Sequence, residues 1–274
     1  MRITLGHSPD PDDAFMFYGI ASGKIAEDGL EFEQILQDIE TLNRRALAEE
    51  LDVTAVSIHA YAYLTERYAL LPHGASFGDG YGPIVVSKTP IDPKDLRGRR
   101  IAVPGLLTSA HLALRLYERT FEPVVVPFDQ IPGAVLAGVA DAGVLIHEGQ
   151  LTYGQSGLHK VVDLGLWWKD ETGLPLPLGG NVIRKALGPA MVEKVSAMLR
   201  KSIAFALEHR APALTYAEGF GRGLDRALAD RFVGMYVNDL TLDYGDRGRR
   251  AVQMFLSRGF EAGLIDVRPS VEFA

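Results

Sequence analysis

The side chains of this 274-residue chain that could do chemistry gather where an apolar, strand-like run gives way to a helix. In "ADAGVLIHEGQLTY" (140–153) the run "AGVLI" delivers His147 at its carboxyl end, ahead of the helix-like "EGQLTY". An imidazole beside a helix start sits in positive potential, which favours the neutral, proton-accepting form. General-base catalysis by such a group contributes about 10²–10⁴ in rate. The same position suits a histidine that only hydrogen-bonds at a strand end, and local sequence leaves both roles open.

Two further junctions carry hydroxyls. In "VTAVSIHAYAYL" (53–64) Ser57 is placed to cap a following helix, and in "AVPGLLTSAHLALRLYERT" (102–120) a Pro-Gly turn ends a strand before Thr108 or Ser109 opens another helix. The free N–H groups at such starts, here around Ser109 and Ala110, hold a carboxylate or phosphate. The dipole contributes about 0.3–1 kcal/mol, or up to about 2 when partly buried. "GHSPDPDDAF" (6–15) collects His7, Asp10, Asp12 and Asp13, types that also bind metals. Two prolines and the capping role of aspartate account for the stretch, and no H-x-x-x-H or facial-triad spacing accompanies it. Trp167 and Trp168 could stack on an aromatic ligand or pack in a core.

Other chemistries have no residues to run on. The absence of cysteine removes disulfides, thiolate nucleophiles and cysteine-ligated metals. No G-x-x-x-x-G-K-[ST], G-x-G-x-x-G or G-x-S-x-G occurs, so a phosphate loop, a dinucleotide fingerprint and a serine-hydrolase elbow are unsupported, and no cofactor is expected. A net charge of −7 without a basic stripe argues against nucleic acid, and "DRGRR" (246–250) is interrupted by acid. No run approaches the roughly 20 apolar residues of a membrane span, and "MRITLGHSPD" has no apolar signal core, so a cytoplasmic protein without membrane partners is expected. Oligomeric state is left open.

Reactive strand ends need a frame that brings them together. Strand and helix signals alternate: "RITL" (2–5), a helix through "DDAFMFYGIASG", the strand "LEFEQILQ", a helix at 39–50 with Ile39, Leu42 and Ala46 on one face, then "DVTAVS". That is an α/β pattern with largely parallel sheets. "LDVTAVSIH" and "ADAGVLIH" suggest two lobes of similar plan. Turn-rich stretches near 88 and at "TGLPLPLGGNVIRKALGP" mark crossings, the second before a long helix at 189–209 with Met191, Val195, Met198 and Ile203 on its apolar face. One lobe then comprises 1–87 and 183–274, with the C-terminal helices capping it, and an inserted smaller lobe comprises 88–182. Ligands in such folds bind in the cleft beyond the strand ends.

Taken together and in order, "LGHSPDPDDAFMFYGI", "VTAVSIHAYAYL", "TSAHLAL" and "GVLIHEGQLTY" resemble the 1,4-dihydroxy-6-naphthoate synthase family of the futalosine route to menaquinone, across essentially the whole chain. The resemblance implies a two-lobed fold like type II periplasmic binding proteins, and a carbon–carbon lyase that needs no cofactor. Its small-molecule substrate would be cyclic dehypoxanthine futalosine, which carries a carboxylate and loses a three-carbon piece. It further implies His147 as proton acceptor, with Ala55, Val56 and Ser57 contacting substrate from one lobe and Ser109 and Ala110 from the other. A binding protein or sensor that closes on a small acid, and the chorismate dehydratase of the same pathway, remain alternatives.

Overall fold

A computed structural model describes residues 1–221 and 224–274. The chain builds two sheets. In the first, β1 (Arg2–His7) pairs in parallel with β2 (Glu31–Leu36) and β3 (Val53–Ser57). β3 holds the centre because all five of its residues are buried, and Val53, Thr54 and Val56 are β-branched types that suit a covered sheet. The helix Ile39–Leu47 connects β2 to β3. It starts where Asp38 accepts the Thr41 N–H at 3.0 Å, and it buries Leu42 and Ala46. β4 (Tyr68–Leu70) and β5 (Ser76–Gly78) complete this sheet from the chain's first third.

The chain then crosses. β6 (Ile84–Ser87), β7 (Arg100–Val103), β8 (Glu122–Val125), β9 (Ala142–Leu145) and β10 (His159–Asp163) form the second sheet in the order β10-β6-β9-β7-β8. β11 (Leu176–Arg184) returns to the first sheet and lies antiparallel to β3, β4 and β5. Both sheets are therefore mixed rather than largely parallel. The strand that enters or leaves each lobe, β6 or β11, runs against its neighbours because the chain arrives from the opposite side. Sheet membership changes between β5 and β6 and again between β10 and β11. β6 thus lies with the second sheet although it precedes residue 88, and most of β11 lies with the first although it precedes residue 183.

The long helix appears at Pro189–Glu208 and buries Val195, Met198, Leu199 and Ile203 along one face. The helix Gly245–Glu261 does more than cap the first lobe. It packs on β11 and the helix Ile58–Tyr61, and also on the helix Ser109–Tyr117 beside the second sheet. One continuous cluster accordingly joins Val56, Tyr61 and Val182 of the first sheet's side to Val85, Val103, Leu112 and Ala142 of the second, with Phe255 from the last helix among them. Trp168 stands edge-on to Phe255 at 5.3 Å and donates its indole N–H to Pro175 O at 3.2 Å, so it packs in this shared interior. Among the described residues no helix is long and apolar enough to cross a membrane.

Candidate active site

A cleft of about 710 Å³ of atom-free space, counting its open mouth, lies between the sheets, and strand ends of both supply its walls. Ala55, Ser57, Ser109, Ala110 and His147 all line it. Val56 does not: side chains alternate along a strand, and Val56 points into the shared core while Ala55 and Ser57 face the cleft.

His147 follows β9 after one intervening residue, Ile146, and lies in the left-handed region at φ 52°. Few non-glycine residues adopt that conformation, although His is one of the types enriched there, and residues held in it cluster at functional sites. The helix behind it, Gly149–Thr152, is a single turn, too short for its dipole to govern the imidazole. The orienting group is a carboxylate instead. Nδ1 of His147 lies 3.1 Å from Oδ2 of Asp10, which is 1% exposed, and the Phe128 ring stands edge-on at 5.0 Å. A carboxylate on Nδ1 fixes the tautomer that carries its proton there and presents Nε2 as acceptor. Nε2 is buried and has no protein partner. Gln150 braces the turn: its amide is satisfied when its oxygen accepts the His147 N–H at 3.2 Å and the Tyr236 hydroxyl at 3.0 Å.

Asp10, Asp12 and Asp13 open the helix Pro11–Met16, and Asp10 occupies its N-cap position without making a side-chain cap bond. The carboxylates turn to the cleft instead of capping. Oδ2 of Asp10 also accepts the Ser8 hydroxyl at 2.5 Å, and Asp13 Oδ2 accepts the Ser8 N–H at 2.8 Å. Their crowding in a buried place has an electrostatic consequence. Burial first, then Asp13 and Asp10, pushes Asp12 up to about 8, and burial with Asp10 pushes Asp13 up to about 7. His7 stays out of the cleft, with Nδ1 facing Ser8 O at 2.9 Å and Nε2 facing Gln34 Oε1 at 3.1 Å.

The two hydroxyl junctions have different jobs. The helix after Ser57, Ile58–Tyr61, is one turn long, and Ser57 makes no capping bond. Its Oγ instead accepts from Asn43 Nδ2 at 3.2 Å while its N–H donates to Asn43 Oδ1 at 2.8 Å, which leaves the hydroxyl proton for a ligand. Thr108 is the true cap of the nine-residue helix Ser109–Tyr117, accepting the His111 N–H at 3.2 Å. The Ser109 hydroxyl is committed between lobes, donating to Leu178 O at 2.5 Å and accepting the His59 N–H at 3.2 Å. The amides of Ser109 and Ala110, which open the helix with no intrahelical acceptor, are what remains for an anion. Among the described residues lining the cleft none is Lys or Arg, so helix-start amides and the Ser57 hydroxyl are the groups suited to a carboxylate.

Sequence reasoning missed Asp10 as the partner of His147, and Asn43 as the support of Ser57. Three aspartates within four residues are more than one cap needs, and that surplus was the available signal. His59, His111 and both tryptophans lie outside the cleft lining. Burial, then the neighbouring His111, pushes His59 down to about 4.

Two sheets joined by two crossings, with a cleft between them, define a protein built on the periplasmic-binding-protein plan. The fold matches the Candida albicans CA3427 gene product, described as having the generic periplasmic binding protein fold, with a TM-score of 0.73 at 12% identity, covering 98% of this chain and 92% of that one. The particular family follows from residues 3–261, which match the family described as menaquinone biosynthesis, and the chain belongs to it. It is 41% identical to the 1,4-dihydroxy-6-naphtoate synthase of Thermus thermophilus over 97% of both chains. The crystal structure of protein AF1704 from Archaeoglobus fulgidus is similar at 49% identity and a TM-score of 0.92, over 96% of this chain and 98% of that one.

Proposed function

We propose that this menaquinone-biosynthesis enzyme is a 1,4-dihydroxy-6-naphthoate synthase, a carbon–carbon lyase acting on cyclic dehypoxanthine futalosine with His147 as its proton acceptor. The observation that carries the assignment of the base is the Asp10–His147 pair across the cleft, with Nε2 of His147 buried and unpartnered. The substrate carboxylate docks on the Ser109 and Ala110 amides and the Ser57 hydroxyl. His147 takes a hydroxyl proton, the neighbouring carbon–carbon bond breaks in the retro-aldol sense, a three-carbon piece leaves, and formation of the aromatic ring drives the step. Ile39, Pro83, Ile146 and Phe232 in the lining limit water around the reacting atoms.

The test is a chromatographic and mass-spectrometric assay of wild type and His147→Asn with cyclic dehypoxanthine futalosine, and with chorismate in parallel. Dihydroxynaphthoate from the wild type alone is the expected result. Saturable binding without product would mark a binding protein, and turnover of chorismate would mark a dehydratase.

A further inference from the structure

The aspartates that open the helix Pro11–Met16 do not have equal duties. Asp10 orients His147 and holds the Ser8 hydroxyl, and Asp13 holds the Ser8 amide. Asp12 lines the cleft, is 7% exposed, and its side-chain hydrogen bond is a long one, 3.4 Å from the Ser76 hydroxyl. Proton transfer to His147 and docking of the substrate carboxylate leave it without a duty. Such a buried carboxyl beside a reacting ligand has one ready role.

We propose that Asp12 is the general acid of this cleft, delivering its proton to the substrate ketone oxygen, which becomes the enol oxygen as the carbon–carbon bond breaks, while His147 accepts the hydroxyl proton. The inference rests on the lyase reading above. The titratable groups facing Asp12 are Asp10 and Asp13 on its own turn, His147 from the second lobe and Tyr236 from the helix Arg226–Tyr236. With two carboxylates beside it and no Lys or Arg among the described lining residues, its neutral acid form is favoured, in keeping with the upward shift already described. Base and acid then stand in one cleft with environments that separate their tasks.

The step balances. His147 Nε2 takes the proton from the hydroxyl of the departing carbon, which becomes a carbonyl. The carbon–carbon bonding pair becomes the double bond of an enol, and the former ketone oxygen receives the Asp12 proton. One proton enters the protein and one leaves it, with no change of oxidation state overall. Return of the proton from His147 to Asp12 through water resets the site.

The experiment is the pH dependence of product formation by the full-length wild type, Asp12→Asn and Asp12→Glu. Wild-type kcat should fall as pH rises through about 8, because the acid form is lost there. Asp12→Asn, which can donate a hydrogen bond but not a proton, should lose about 10²–10⁴ in kcat and show no alkaline fall. Asp12→Glu should recover part of the rate together with that fall. A folded Asp12→Asn enzyme within threefold of wild-type kcat, with the alkaline fall intact, overturns the proposal and leaves the lyase reading standing. Wild type that yields no dihydroxynaphthoate overturns both. If Asp12→Asn does not fold, infrared spectroscopy of the Asp13→Asn protein, which removes the other raised carboxyl of this turn, decides: a protonated-carboxyl stretch that persists there at pH 7 supports the proposal, and its absence overturns it.

Discussion

Asp10→Ala is the sharpest probe of how His147, the proposed base, is held. In the wild type one carboxylate oxygen, Oδ2, receives the Ser8 hydroxyl at 2.5 Å and faces His147 Nδ1 at 3.1 Å, and Asp10 is all but fully buried. Alanine removes the group that keeps the imidazole proton on Nδ1, so the ring becomes free to turn and to carry its proton on either nitrogen. A hydrogen bond to a charged partner contributes roughly 1.5–3 kcal/mol, and if that energy serves to orient the base, its loss lowers kcat by roughly 10- to 150-fold. KM should change by no more than about threefold, since the suggested carboxylate anchors are Ser57, Ser109 and Ala110, whose own hydrogen bonds do not involve Asp10. Asp10→Asn keeps the volume and one acceptor oxygen but not the charge, and should fall between alanine and wild type. Steady-state product formation at saturating substrate, with a circular-dichroism melt to confirm folding, gives both numbers. A folded Asp10→Ala enzyme with kcat within twofold of wild type would refute the argument that Asp10 orients the base.

Ser57→Ala should weaken substrate binding by about 1.5–3 kcal/mol, roughly 10- to 150-fold in Kd, because its hydroxyl proton is the one left for a carboxylate; calorimetric titration of the His147→Asn protein checks it without turnover. Trp168→Ala should cost about 3–5 kcal/mol in denaturant unfolding yet leave KM within twofold, since the ring packs on Phe255 outside the cleft; a large KM change would contradict this. His73, which faces Ser196 Oγ at 3.0 Å, is pushed from 6.5 down to about 4 by burial and then by Arg200. Its neutral form therefore contributes stability that is present above pH 6.5 and lost as pH falls toward 4, worth about 3 kcal/mol at about 1.4 kcal/mol per pH unit. Asp12 and Asp13, raised rather than lowered, act with the opposite sign throughout that range, so the readout is the unfolding free energy of wild type minus that of His73→Gln. That difference should decrease by this amount from pH 7 to pH 4, and a pH-independent difference would refute the linkage.

Local pattern revealed what local physics controls. The burial of β3, the apolar faces of the helices Ile39–Leu47 and Pro189–Glu208, and the arrival of His147 at a strand end all depend on side-chain period and propensity, which a short window of sequence contains. Strand direction does not. β6 and β11 have the apolar composition of any covered strand, and only the crossing between lobes makes them antiparallel to their neighbours. The same limit hid half of the site. An aspartate before a proline-led helix has the signature of a cap, and Asp10 occupies that position, but its carboxylate is claimed by Ser8 and by an imidazole from the other lobe. Capping contributes about 0.5–2 kcal/mol, a margin that a tertiary contact with a buried charged partner can exceed. Ser57 shows the same competition, its hydroxyl held by Asn43 rather than by its own one-turn helix. Where a polar residue has a local use and a distant partner of greater energy, the distant partner sets where its side chain points, as Asp10 and Ser57 show at this cleft.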